Sequence, residues 1–210
     1  MPGKPLALVF ASILFISSAA GADDPGHDGQ RGDEPCPVGL VSGMDLNTEF
    51  GPGADAITRC LERRHKVRFL VQINRFCRDN VPDAQCAVGY GLRNLEKAIE
   101  DYEITHGMVA GRDYEIVAIA HDGGGKLMIK DEVKSYLPTG GNRFEGQIRA
   151  LMAKGVKFYL CQNATRALIA AGLLTQGNVT NEIIPGTEFV TSAVTALADF
   201  QALGFRYVQP

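Results

Sequence analysis

The residues with the strongest chemical character meet at one junction, Gly155-Val156-Lys157-Phe158-Tyr159-Leu160-Cys161-Gln162-Asn163-Ala164-Thr165-Arg166. A short apolar run ends there on a cysteine and gives way at once to polar residues, a pattern that reads as strand, turn and helix. A residue at the C-terminal end of such a strand sits on the rim of an open parallel sheet, where α/β proteins bind their ligands. The unpaired N–H groups that open the following helix favour a thiolate there. The chemistry suggested for Cys161 is therefore nucleophilic. The plainer alternative is a buried cysteine packed as a small hydrophobe.

A second group follows the apolar run 114–120, where the chain reads His121-Asp122-Gly123-Gly124-Gly125-Lys126. Parallel strands end on one common edge, so the loops after Ile73, Ala120 and Leu160 should lie near one another. His121 beside Cys161 could activate the thiol or stabilise its thiolate. The alternative is a rim histidine held by an ordinary hydrogen bond. The triple glycine before Lys126 fails as a Walker phosphate loop, because Ala120 and Leu127 stand where a glycine and a Ser or Thr are needed. No GxGxxG pattern occurs at this turn either, so the glycines imply a tight turn or a close approach by a ligand or neighbouring subunit. CxxC and HxxxH spacings are absent, and neither a metal nor a cofactor is expected.

These residues need a sheet to hold them. Residues 66–73 are rich in β-branched and aromatic side chains and read as the first strand. Residues 90–106 carry Leu92, Leu95, Ala98, Ile99 and Tyr102 at helical spacing. Residues 114–120 are apolar enough for a strand buried on both faces. Residues 127–137 read as a short helix or irregular crossover, and 144–154 as a helix ended by Gly155. After the cysteine strand come a short helix around 165–171, a brief strand or loop at 182–186, a helix from 187 or 191 to 203, and a last strand at 205–208. Alternation of strand and helix implies right-handed parallel crossovers, hence a three-layer α/β/α sandwich with a mostly parallel sheet.

The chain of 210 residues is 45% hydrophobic and 21% charged, with a formal net charge of −3, so one globular domain is expected. No large basic field is available for nucleic acid. Residues 1–22 read as a secretory signal peptide: Lys4, an apolar stretch from Leu6 to Ile16, then small residues at Ala20 and Ala22, with cleavage expected after Ala22. The apolar stretch is too short to span a bilayer, so no stable membrane insertion is expected after cleavage and the address is periplasmic or secreted. Residues 23–65 read as a flexible leader and N-terminal extension, and 66–210 as the α/β domain. Export makes disulfides admissible. The five cysteines leave one over. Pairing Cys36 with Cys60 and Cys77 with Cys86 leaves Cys161 free, although other connectivities remain open.

The cysteine strand 155–164, the triplet Ile184-Pro185-Gly186 and the closing run 197–210, Leu-Ala-Asp-Phe-Gln-Ala-Leu-Gly-Phe-Arg-Tyr-Val-Gln-Pro, together resemble the DsrE/DsrF-like (YchN-like) family, and most closely its exported members. The helix 94–103, the strand 114–120 and His121 with its glycines fit the same pattern, which covers about 66–210. The resemblance implies a flavodoxin-like sandwich, assembly into homo-oligomers, and sulfur relay, in which a cysteine carries sulfur as a persulfide between donor and acceptor proteins. Only Cys161 corresponds to the sulfur carrier; His121 matches by position. The 77–86 cysteine loop and the N-terminal extension depart from the family pattern. A non-catalytic binding module for a small ligand or a protein is the competing expectation.

Overall fold

The computed structural model describes residues 46–57, 66–133 and 141–210. Two short helices, α1 (Leu46–Phe50) and α2 (Ala54–Ile57), precede the sheet. The remaining strands and α-helices are β1 (Val67–Ile73), α3 (Leu92–Glu100), β2 (Tyr114–Ala120), α4 (Glu145–Ala153), β3 (Val156–Cys161), α5 (Gln162–Ala170), α6 (Val179–Glu182), β4 (Glu188–Val190), α7 (Ala193–Ala202) and β5 (Arg206–Val208). The five strands form one sheet in the order β4-β3-β2-β1-β5, and every pairing is parallel.

Side chains alternate across the pleat and divide the core in two. Val71, Ile73, Ile116, Ala118, Ala120, Val156, Phe158 and Leu160 point to one face, where Leu92, Leu95 and Ile99 of α3, Ile148 and Leu151 of α4 and Leu168 of α5 cover them. Leu70, Val117, Ile119 and Cys161 point to the other, under Ala193 and Ala196 of α7, with Leu197, Phe200 and Tyr159 packed alongside. Right-handed crossovers explain the asymmetry. The chain steps from β1 to β4 in one direction with its helices on the first face. To reach β5 on the far side of β1 it must cross in the opposite direction, and α7 therefore lies on the second face. The result is the flavodoxin-like α/β sandwich expected from the sequence.

Three local expectations need correction. The helix expected from 187 or 191 begins only at Ala193, because Glu188, Phe189 and Val190 pair with the end of β3 as β4. Residues 179–182 form a helical turn just before the stretch expected to be a strand or loop, of which only Ile183 bridges, pairing with Ile129. The triple glycine belongs to a 3₁₀ helix, Asp122–Met128, that begins earlier than the crossover was expected to. Its reason for glycine is packing against the chain itself: a Cβ on Gly124 would stand 2.1 Å from the Ile73 main-chain oxygen. Asn142 anchors the far end, donating to the carbonyls of Leu127 (2.7 Å) and Ile129 (2.8 Å).

Candidate functional site

Cys161 is the last residue of β3 and the residue on which α5 starts, in extended conformation with φ −69° and ψ 126°. Its placement follows from the sequence: Phe158 and Leu160 bury toward α3 and α4, so Tyr159 and Cys161 must face α7. Ala193 and Ala196 of α7 belong to the same buried apolar cluster, and Cys161 is only 4% exposed. Thr165, one turn into α5, donates its hydroxyl to the Cys161 carbonyl at 3.0 Å. Among the described residues Cys161 is the free cysteine.

Pairing of Ala120 with Leu160 sets the next residues, His121 and Cys161, on adjacent strands. His121 continues the extended path of β2 (φ −149°, ψ 173°), and its amide donates to the Ile73 carbonyl at 2.9 Å. Ile119, two residues earlier, belongs to the α7-side cluster, so alternation puts His121 on the face that Cys161 occupies. The contact recorded for its ring is made with the other neighbour: Nε2 lies 2.6 Å from Nε2 of Gln72 on β1. The Gln72 Oε1 accepts from the Tyr207 hydroxyl of β5, which also lies 3.4 Å from Gln209 Oε1. Burial lowers the His121 pKa from its ordinary value, and the neighbouring Asp122 carboxylate partly opposes this.

A polar row thus crosses the C-terminal edge of the sheet, from Tyr207 through Gln72 to His121, with Cys161 next in register. Sequence reasoning found its last two members. Gln72 and Tyr207 were missed, although a glutamine among Val, Phe, Leu and Ile in β1 was a signal. Asn74, just past β1, adds a buried Oδ1 that has no hydrogen-bond partner among the described residues. Arg166, one turn beyond Cys161, is exposed on α5.

The loop after β1 has the second cysteine chemistry. Cys77 and Cys86 are bonded, with Cα atoms 5.5 Å apart, as the sequence suggested. Cys36 and Cys60 lie outside the described residues. The loop is pinned from several sides: Lys126 pairs with Asp83 at 2.6 Å, Arg143 donates to the Cys86 carbonyl at 3.1 Å, and Phe76, Cys77 and Cys86 are buried. Among the described residues no group of His, Cys, Asp and Glu could hold a metal ion, and no helix is long and apolar enough to cross a membrane.

Comparison with known proteins gives three findings. The model of the DsrE/DsrF-like family matches residues 84–210, from within the disulfide loop to the last residue of the sequence. Among solved structures, a protein of unknown function from Methanobacterium thermoautotrophicum is similar over 69% of this chain and 100% of its own, at 19% identity and a TM-score of 0.47. No curated protein matches the chain.

Proposed function

The chain belongs to the DsrE/DsrF-like family, and from that premise we propose that it is an exported sulfur carrier in which Cys161 takes up sulfane sulfur as a persulfide and passes it on. The observation that carries this reading is the place of the free thiol: at the C-terminal end of β3, at the start of α5, with His121 next to it in register. The family is linked to sulfur relay. Export is supported by the pattern of residues 1–22 and by the Cys77–Cys86 bond, which suits an oxidising compartment.

The step needs no external oxidant. The Cys161 thiolate attacks a sulfane sulfur of the donor, a new S–S bond forms as the donor's own S–S bond breaks, and the donor fragment leaves with the electron pair as a thiolate. An acceptor thiolate then attacks the outer sulfur of the persulfide and releases Cys161 as it began. With 4% exposure, Cys161 meets its donor through local opening beneath α7, so small polysulfides should react before bulky reagents.

The test is intact mass and peptide mapping of the unreduced folded protein after exposure to polysulfide. Gain of about 32 Da per sulfur atom at Cys161, abolished in Cys161→Ser, is the expected result. A Cys161 that stays unmodified in the folded protein and reacts only in denaturant would overturn the carrier reading. The burial of the thiol would then assign it to the core, and the rim would be read as a non-catalytic binding site.

A further inference from the structure

We propose that Gln72 and Tyr207 hold His121 as the neutral ring protonated on Nδ1 with its Nε2 occupied, so that toward the sulfur site the ring has only a donor to offer and is not a base acting through Nε2. Its second half rests on the sulfur-carrier reading; the tautomer itself does not.

The argument follows the direction of each hydrogen bond. A primary amide has a donor end and an acceptor end that cannot exchange roles. The Gln72 oxygen is engaged by the Tyr207 hydroxyl, which must be the donor there because a carbonyl oxygen only accepts. With its oxygen on Tyr207, the amide presents its nitrogen to β2, where it meets His121 Nε2 at 2.6 Å. An amide NH₂ only donates, so Nε2 offers its lone pair and the neutral ring carries its proton on Nδ1. An imidazolium would present N–H to N–H at this contact. The same arrangement therefore disfavours protonation, in the direction burial already pushes.

Each part of the relay is held by the fold. Gln72 is partly buried within β1, paired with Ile119 of β2. Tyr207 is brought to β1 by the register of β5, in which it stands opposite Leu70. Neither residue touches the reacting sulfur, so both are positioning residues. Their effect on Cys161 passes through one ring. A donor beside the site stabilises the thiolate and the persulfide anion by a charge-assisted hydrogen bond, whereas a free Nε2 lone pair would only remove a proton. Of the two roles that the sequence left open for His121, the contact with Gln72 speaks against the base.

The experiment is long-range ¹H–¹⁵N NMR on protein labelled at histidine nitrogen, with His121→Gln used to assign the signals. Wild type should show protonated Nδ1 and bare Nε2 in the neutral ring. In Gln72→Glu a carboxylate replaces the amide and accepts from Nε2–H. The tautomer should switch, and the His121 midpoint should rise by roughly one to two pH units. The ionisable groups around it in that variant are Asp122, the Tyr207 phenol, Cys161 and the new carboxylate. Tyr207→Phe frees the amide to turn and should give a mixture of tautomers. The rate of sulfur uptake by Cys161 should acquire a limb in Gln72→Glu that follows the raised midpoint, while labelling of the thiol in denaturant stays unchanged. A wild-type ring protonated on Nε2, or a tautomer indifferent to Gln72→Glu and Tyr207→Phe, would overturn the proposal. A tautomer that switches without any change in the uptake profile would remove the positioning role. Absence of uptake in wild type would sink the carrier reading and the donor role together, leaving the tautomer to be decided by the NMR measurement alone.

Discussion

The loop after β1 and the end of β3 stand at the same edge of one sheet and hold cysteines in opposite states. Cys77 and Cys86 are nine positions apart, their Cα atoms are 5.5 Å apart, and they close a hairpin whose base is further tied by the bridge between Cys77 and Gly89. Cys161 is as deeply buried as Cys77, yet it belongs to an apolar cluster with residues of β1, β2 and α7 and has no second sulfur bonded to it. Burial is common to both regions, so burial does not separate a bonded cysteine from a free one. The separating feature is the surroundings: a loop that folds back on itself in one case, and in the other a strand end with a helix start behind it and a polar row beside it.

Stability should therefore depend most on the bonded cysteines. Replacing Cys77 and Cys86 together by serine opens a short loop and leaves two buried hydroxyls, and should cost about 3 kcal/mol in chemical denaturation. Sulfur uptake at Cys161 should persist in whatever fraction remains folded. Equal stability of this variant and wild type would mean that the loop is held by its ion pair and packing alone. Cys161→Ser should cost less, about 1–2 kcal/mol for a hydroxyl beneath α7, while removing all uptake. If it proved the more damaging of the two, the free thiol would be the structural cysteine.

The remaining effects are smaller. Folded His121 has a lowered pKa, mainly through burial, whereas the unfolded value is about 6.5. Below that value the unfolded chain binds more protons than the folded one. The contribution of His121 is complete above about pH 6.5 and is lost as pH falls toward the lowered folded value. The slope of stability against pH in that window should flatten in His121→Gln and stay unchanged in the loop variant, as denaturation curves at a series of pH values would reveal. Last in size is Lys126→Met. Its pair with Asp83 is about 30% exposed on both sides, and its loss should cost under about 1 kcal/mol, less at high salt.

Much of this architecture was legible in the residues. Tyr114–Ala120 is apolar at nearly every position because it is the central strand, buried on both faces, and Gly155 ends α4 because its φ of +90° suits glycine. The Cys77–Cys86 bond could be read from a turn-rich loop between two cysteines. Cys161 and His121 could be placed on one edge because parallel strands end together. Beyond that, local pattern was too short to decide. Glu188, Phe189 and Val190 have no periodicity of their own and become a strand only because the edge of β3 offers them unpaired backbone groups.

The sequence by itself determined the alternation of strands and helices, the family and the place of Cys161 at a strand end, since these depend on composition and spacing along the chain. Tertiary structure alone decided the rest. Crossover handedness sent α7 to the second face and buried Cys161 beneath it, and the closeness of Ile73 made Gly124 a packing requirement. Gln72 and Tyr207, 135 positions apart, became one hydrogen-bonded row because β5 returns to the far side of β1. Spacing along a chain cannot encode such a meeting; the register between strands does.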